Sequence, residues 1–351
     1  MPERIFGAPP LCIQGAGALA QLPPLLAGFG RRPFVIADGA CAEPQRQEIE
    51  QQLKSATDRV ILGVAQGYCT EAELERFADT ARTLEADVLA ALGGGTAMSI
   101  AKGLAITTGL PLVTVPTAPC CHLPVSRFLE VEGEDGRFLS LRAVPEPPAA
   151  LLVDTTAFAA SPARVFIAGI GDALARRFEV EQGAAGTTLN LLDGKPTRLA
   201  AAAAESAWSA IREHAIPALA QRTRRSGGEA LERVVEAMVL LSGIAHESGG
   251  PSIAHALARG FAGLPACRTA LHGELVAVAL LGQLVFEARP AELVMDIVDF
   301  HRSLGLPVRL ADIGIVADQE TVVEAATRRG VPLEAKRLAQ AVFEADVLAG
   351  G

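Results

Sequence analysis

The strongest constraint on this chain is a change of pattern partway along it. Through about residue 150, short apolar runs alternate with helix-like stretches; from about Ser161 the strand-like runs nearly vanish. Pro33–Asp38, Arg59–Gly63, Asp87–Leu92 and Leu112–Pro116 read as strands. Glu71–Leu84, with Thr70 as N-cap, and a stretch from Ala97 to Thr107 read as helices between them. Apolar strands alternating with helices predict a parallel sheet covered on both faces. Beyond the switch, helical spacing predicts helices over Ala163–Gln182, Arg198–Gln221, Glu229–His246 and Glu274–Ala288. A stiff Pro145-Glu146-Pro147-Pro148 segment precedes the change. The expectation is α/β plus all-α: a parallel-sheet domain over 1–160 and a helical domain over 161–351.

Composition narrows the partners. Of 351 residues half are hydrophobic and only 20% are charged, with a formal net charge of −9. An acidic chain without a Lys/Arg block repels phosphate backbones, so nucleic acid is not expected as a partner. No run of ~18 uninterrupted apolar residues is present, and the N-terminus lacks a basic stretch leading into an apolar one. A soluble, cytoplasmic protein with no membrane partner is the expectation. Its six cysteines form no CxxC pair and read as reduced thiols.

Several residues fall where ligands bind. In open parallel sheets, ligands sit at the carboxyl ends of the strands, and Asp38, Gly93-Gly94-Gly95 and Thr117 all lie at strand ends. Glycines between a strand and a helix let a phosphate approach backbone N–H groups. The run is neither GxGxxG nor a GK[ST] loop, and it stands equally for a tight turn. Asp38 suits a ribose diol and would repel a 2′-phosphate, favouring NAD, or it simply starts the turn at Gly39. Farther on, Asp172 sits early in an apolar helix, where an ionised carboxylate needs a partner. His255 lies in a Gly/Ser/Ala-rich stretch and His272 opens a helix. One carboxylate and two imidazoles suit a divalent metal, zinc or iron, with a position left for substrate.

These residues also carry a resemblance. Gly169-Ile170-Gly171-Asp172-Ala173-Leu174-Ala175 resembles the metal-binding aspartate motif of the glycerol dehydrogenase branch of the iron-containing alcohol dehydrogenase family. Glu247-Ser248-Gly249-Gly250 with His255, then His272-Gly273-Glu274, resembles that branch's two metal-histidine motifs. Leu92-Gly93-Gly94-Gly95 with Ala101-Lys102 is similar to the family's pyrophosphate loop and following helix. Thr114-Val115-Pro116-Thr117 is similar to the strand leading into its nicotinamide site, and Ser126 resembles a small polar residue near the cofactor.

The resemblance implies a Rossmann-like domain followed by a helical one, with an active site in the interdomain cleft. It implies NAD(H), one divalent metal, homo-oligomerisation, and interconversion of a small alcohol, polyol or hydroxy acid with its carbonyl compound. Asp172, His255 and His272 would hold the metal; Asp38, Gly93, Gly94, Gly95, Thr114, Thr117 and Ser126 would serve the cofactor. The chain departs from the pattern where glycerol dehydrogenases place an aspartate near substrate: that position is His122, after Cys120-Cys121. His122 is the catalytic candidate, as proton relay or anion partner, and glycerol is not the expected substrate. Two alternatives share the fold. A sugar-phosphate cyclase of the dehydroquinate synthase type needs cations around a phosphate, whereas the chain's four lysines, Lys54, Lys102, Lys195 and Lys336, avoid the metal motifs. A non-catalytic NAD-binding relative is the other.

Overall fold

The computed structural model describes residues 3–39, 41, 43–54, 57, 60–120, 122–186, 189–224, 227–316, 319–327 and 335–350; Cys121 lies outside them. Eight strands are present among these residues: β1 Cys12–Gly15, β2 Pro33–Ala37, β3 Ile61–Val64, β4 Val88–Gly93, β5 Leu112–Pro116, β6 Phe128–Glu132, β7 Phe138–Ala143 and β8 Ala150–Asp154. The helices of the first part are α1 Leu22–Ala27, α2 Glu43–Lys54, α3 Glu71–Thr83, α4 Gly95–Thr108 and α5 Thr155–Ala160. Those that follow are α6 Ala163–Ala185, α7 Arg198–Thr223, α8 Glu229–Glu236, α9 Ser242–Gly249, α10 Ile253–Ala262, α11 His272–Phe286, α12 Ala291–Leu304, α13 Gln319–Thr327 and α14 Ala335–Leu348. None is long and apolar enough to cross a membrane.

Six strands form one parallel sheet in the order β1-β8-β5-β4-β2-β3, and β6 and β7 pair antiparallel as a separate hairpin. Side chains alternate across a strand, so Phe34 and Ile36 join one apolar cluster with Leu89 and Ala91, while Val35 and Ala37 join another with Val88, Ala90 and Leu92. Both faces are therefore buried, which is why these strands read as unbroken apolar runs. Thr70 caps α3 as its position suggests, its side chain accepting from the Glu73 N–H at 3.2 Å.

The chain packs as two compact units. One comprises Gly7–Ser161 with Pro217–Ile244; the other comprises Met1–Phe6, Pro162–Ile216 and Ala245–Gly351. The chain thus passes between units at Ser161, beside the change of texture, but a later helical segment groups with the sheet. Its reason is visible in α8, which buries Ala230, Leu231, Val234 and Val235. The Glu232 carbonyl accepts from Gln14 Nε2 of β1 at 2.9 Å, and its carboxylate accepts from Thr155 Oγ1 at 2.5 Å. The expected helix over Glu229–His246 is interrupted by a π-helical turn at Ala237–Leu241.

Candidate functional site

The helical unit brings Asp172, His255 and His272 together. Asp172 lies in α6, His255 in the first turn of α10, and His272 opens α11. Two glycines let α6 and α11 meet at the level of the ligands. A Cβ on Gly273 would lie 1.8 Å from the Ala168 carbonyl oxygen, and one on Gly171 would lie 2.7 Å from the Gly273 carbonyl oxygen. Each glycine adjoins a candidate ligand, so backbone contact places Asp172 and His272 side by side. His255 Nε2 is 2.8 Å and His272 Nε2 3.7 Å from Asp172 Oδ1, and one donor atom from each residue lies within 4.8 Å of the others. Asp172 and His255 are buried, whereas the His272 side chain is 36% exposed.

Two further residues complete it. Glu179, fully buried on α6, accepts the Ser252 and His255 backbone N–H groups through Oε1, at 2.8 and 3.0 Å. Its Oε2 lies 2.7 Å from His255 Nδ1. One carboxylate thus caps the start of α10 and orients the ring it carries. Arg176 Nη1 also lies 3.2 Å from Nδ1, but a guanidinium only donates. We assign the Nδ1 proton to the closer carboxylate, which leaves Nε2 facing Asp172 as a ligand atom. Arg176 is itself fully buried and binds Asp172 Oδ1 at 3.0 Å and Glu179 Oε2 at 3.3 Å. His246 stacks edge-on to His255 and accepts from Arg176 through Nδ1.

Burial opposes ionisation of Asp172, but the charge of Arg176 and the hydrogen bond from His255 prevail, holding its carboxyl well below the usual range. Burial likewise opposes ionisation of Glu179, and His255, Arg176 and the Ser252 N–H hold it down. Arg176 and Glu179 escaped the sequence reading because charged residues on a helix ordinarily face solvent. A signal was available: positions 172, 176 and 179 share one face of α6.

In the sheet unit, the glycine turn links β4 to α4. Gly93 has φ 135°, outside the range most side chains adopt, and a Cβ there would lie 2.2 Å from Asp38 Oδ1. Asp38, expected as a ribose partner, turns its carboxylate onto this turn. It accepts the Gly94 N–H at 3.0 Å and the Ala97 N–H at 2.9 Å, bracing the start of α4. Thr117 N donates to the Gly93 carbonyl at 3.0 Å, so that residue adjoins the turn. Leu123 lies against the same turn, its Cδ1 3.1 Å from where a Gly95 Cβ would be.

The other candidates in this unit are buried and engaged with protein groups. Thr114 Oγ1 donates to the Pro124 carbonyl at 2.7 Å, and Lys102 Nζ donates to the Leu123 and Phe128 carbonyls at 2.6 and 2.7 Å. Both hold the loop that carries His122. His122 Nδ1 pairs with Ser126 Oγ at 2.7 Å, and its Nε2 is 3.9 Å from Glu130 Oε1. Ser126 Oγ also accepts the Phe128 N–H at 3.3 Å.

Comparison with known proteins shows the family of the chain. Residues 9–155 match the iron-containing alcohol dehydrogenase family. A glycerol dehydrogenase of Escherichia coli is 32% identical over 332 residues, 93% of this chain and 90% of the relative. A glycolaldehyde reductase of Halobacterium salinarum is 32% identical over 326 residues, 92% and 89% of the two chains. The crystal structure of a probable glycerol dehydrogenase from Sinorhizobium meliloti superposes with a TM-score of 0.91 at 31% identity, covering 99% of each chain. The chain belongs to the iron-containing alcohol dehydrogenase family, in its glycerol dehydrogenase-like branch.

Proposed function

We propose that this chain, a metal-dependent, NAD-linked alcohol oxidoreductase by its family, interconverts a small polyol or hydroxy acid with its carbonyl compound. The observation that carries the site assignment is the convergence of Asp172, His255 and His272 beside a carboxylate that orients His255. A carboxylate and two imidazoles, one of them exposed, match what zinc or ferrous iron takes while keeping a position for substrate. A divalent metal bound there supplies the Lewis acidity that favours loss of the alcohol proton.

The residues divide the work. Oxidation takes the carbinol hydrogen to NAD with two electrons and releases the hydroxyl hydrogen as a proton. Asp172, His255 and His272 bind the metal, and Glu179 takes the Nδ1 proton of His255, so that Nε2 can exchange its proton to Asp172 for the metal. The N–H groups opening α4 suit the cofactor pyrophosphate, with Asp38 and the bare glycines fixing the turn they belong to. Thr114 and Lys102 hold the loop of His122 and Ser126 in place through its carbonyl groups. His122 sets substrate choice: an imidazole in place of an aspartate favours substrates with an anionic or acceptor group.

The test is a panel of diols, polyols and 2-hydroxy acids with NAD, using protein loaded separately with zinc and with iron, following NADH. Multiple turnovers to a carbonyl product are expected with at least one substrate. Metal-loaded protein that forms no NADH with any substrate, and oxidises none in the reverse direction with the carbonyl compounds, would refute this function. His122→Asp is expected to move preference toward glycerol by about tenfold, the scale of one lost or gained polar contact.

A further inference from the structure

The mechanism makes no use of Arg176, yet Arg176 is the largest fully buried side chain among the described residues. Its guanidinium touches both carboxylates of the centre, 3.0 Å from Asp172 Oδ1 and 3.3 Å from Glu179 Oε2. His246 Nδ1 accepts from Nη1, the guanidinium nitrogen that also faces Glu179. Asp172 Oδ1, which Arg176 holds through Nη2, is also the oxygen near both candidate imidazoles, 2.8 Å from His255 Nε2 and 3.7 Å from His272 Nε2. A permanent cation therefore shares the carboxylate oxygen around which the metal site is built.

We infer that Arg176 is a counter-charge and positioning residue that opposes the metal: it holds Asp172 and Glu179 in ligand geometry without a metal and lowers the affinity of the site for any dication. The inference rests on Asp172, His255 and His272 being the metal ligands. Two effects act in one direction. Without a metal, the guanidinium compensates two buried carboxylates that would otherwise lack a fixed cation. With a metal, the guanidinium competes for the charge of Asp172 and repels the dication in a site where water screens little. Both make binding weaker than three ligands alone would give, keeping the metal exchangeable and leaving it more electron-poor. An arginine that merely filled space would have the opposite signature, since its loss would disorder the ligands and weaken binding.

The sign of the change in metal affinity decides the matter. Zinc and ferrous iron are titrated separately into the stripped full-length protein against a chromophoric chelator, and Tm is measured with and without metal. Arg176→Met is expected to lower the Tm of the stripped protein and to tighten dication binding at least tenfold. Arg176→Lys, which keeps the charge, is expected to stay within about threefold of wild type in affinity. A methionine variant that folds only when metal is added supports the inference. Should that variant fold under neither condition, Arg176→Gln, which keeps one donor for Asp172 without the charge, must show the tightening. Neutral variants that bind no more tightly than wild type overturn the role of Arg176 while leaving the ligand assignment standing. A wild-type protein that binds neither metal overturns the ligand assignment itself.

Discussion

Two buried aspartates solve the same problem in different ways. Asp38 in the sheet unit and Asp172 in the helical unit are 6% and 4% exposed, and each needs partners for its charge. Asp38 takes them from the main chain, the N–H groups of Gly94 and Ala97. Asp172 takes them from side chains, Arg176 and His255, with His272 nearby. Main-chain partners come with the fold and cannot leave without unmaking the turn. Side-chain partners can exchange, and a histidine can trade a proton for a metal. The first arrangement is a brace, and the second is what a metal site would need.

The sharpest way to break this contrast is to remove a ligand. His272→Ala keeps the buried part of the cluster, because His272 is its exposed member. Metal binding and NADH formation are expected to fall together by at least about a thousandfold, the scale of losing Lewis-acid stabilisation of several kcal/mol. Metal content by elemental analysis and steady-state rates measure the two losses. Full activity in this variant would refute the ligand assignment.

Glu179→Gln probes the orienting carboxylate without emptying its place. The amide still spans Ser252 and His255 but no longer fixes the Nδ1 proton as a charge does. Loss of such a partner typically weakens metal binding 10- to 100-fold. Equilibrium competition with a chelator reads this directly, and unchanged affinity would mean that the 2.7 Å contact to His255 Nδ1 has no bearing on the metal.

Asp38→Ala probes the brace. It strands the Gly94 and Ala97 N–H groups in a buried turn, and about 2 kcal/mol of stability is expected to go with the charge-assisted bonds. The KM for NAD should rise, while metal affinity should stay at the wild-type value. A change in metal affinity equal to that of Glu179→Gln would erase the distinction between brace and site. Urea denaturation, NAD kinetics and metal titration together separate the outcomes.

The contrast also explains what was legible in the sequence. Asp172 and His255 stood out because each sits in a run of small or apolar residues, and His272 because it opens a helix in a stretch that resembles the branch's second metal-histidine motif. The strands β2 and β4 were legible from unbroken apolar runs, and β5 from one interrupted only by Thr114, which is what burial on both faces produces. Strand β1 is only partly buried at the sheet edge, and β7 has no buried residue in the hairpin, so neither carries that signature. Strand β8 is fully buried, but its five residues follow a proline-rich stretch that masked it. The position of Asp38 at a strand end was legible; the direction of its carboxylate was not, since that depends on Gly93 lacking a Cβ opposite it. His122 was legible as a departure, whereas its pairing with Ser126 depends on how Thr114 and Lys102 hold their loop.

His301 supplies a third arrangement and the smallest expected effect. It is fully buried on α12, and neither ring nitrogen finds a hydrogen-bond partner among the described residues. Burial, with the nearby charge of Arg212, pushes its pKa from 6.5 down to about 3. With no partner to hold a charge, it remains neutral instead. The folded pKa is depressed below the unfolded one, so the unfolded chain binds the extra proton as pH falls through 6.5. Stability conferred by this residue is complete above that pH and is lost progressively toward pH 3. By pH 6 the loss is only about 0.8 kcal/mol. His301→Leu removes the titrating group, so its urea midpoint should fall less than that of wild type between pH 7 and pH 6. Equal falls in the two proteins would mean that His301 finds a partner for its proton in the folded state, and would place it with Asp172 among the residues that keep their charge.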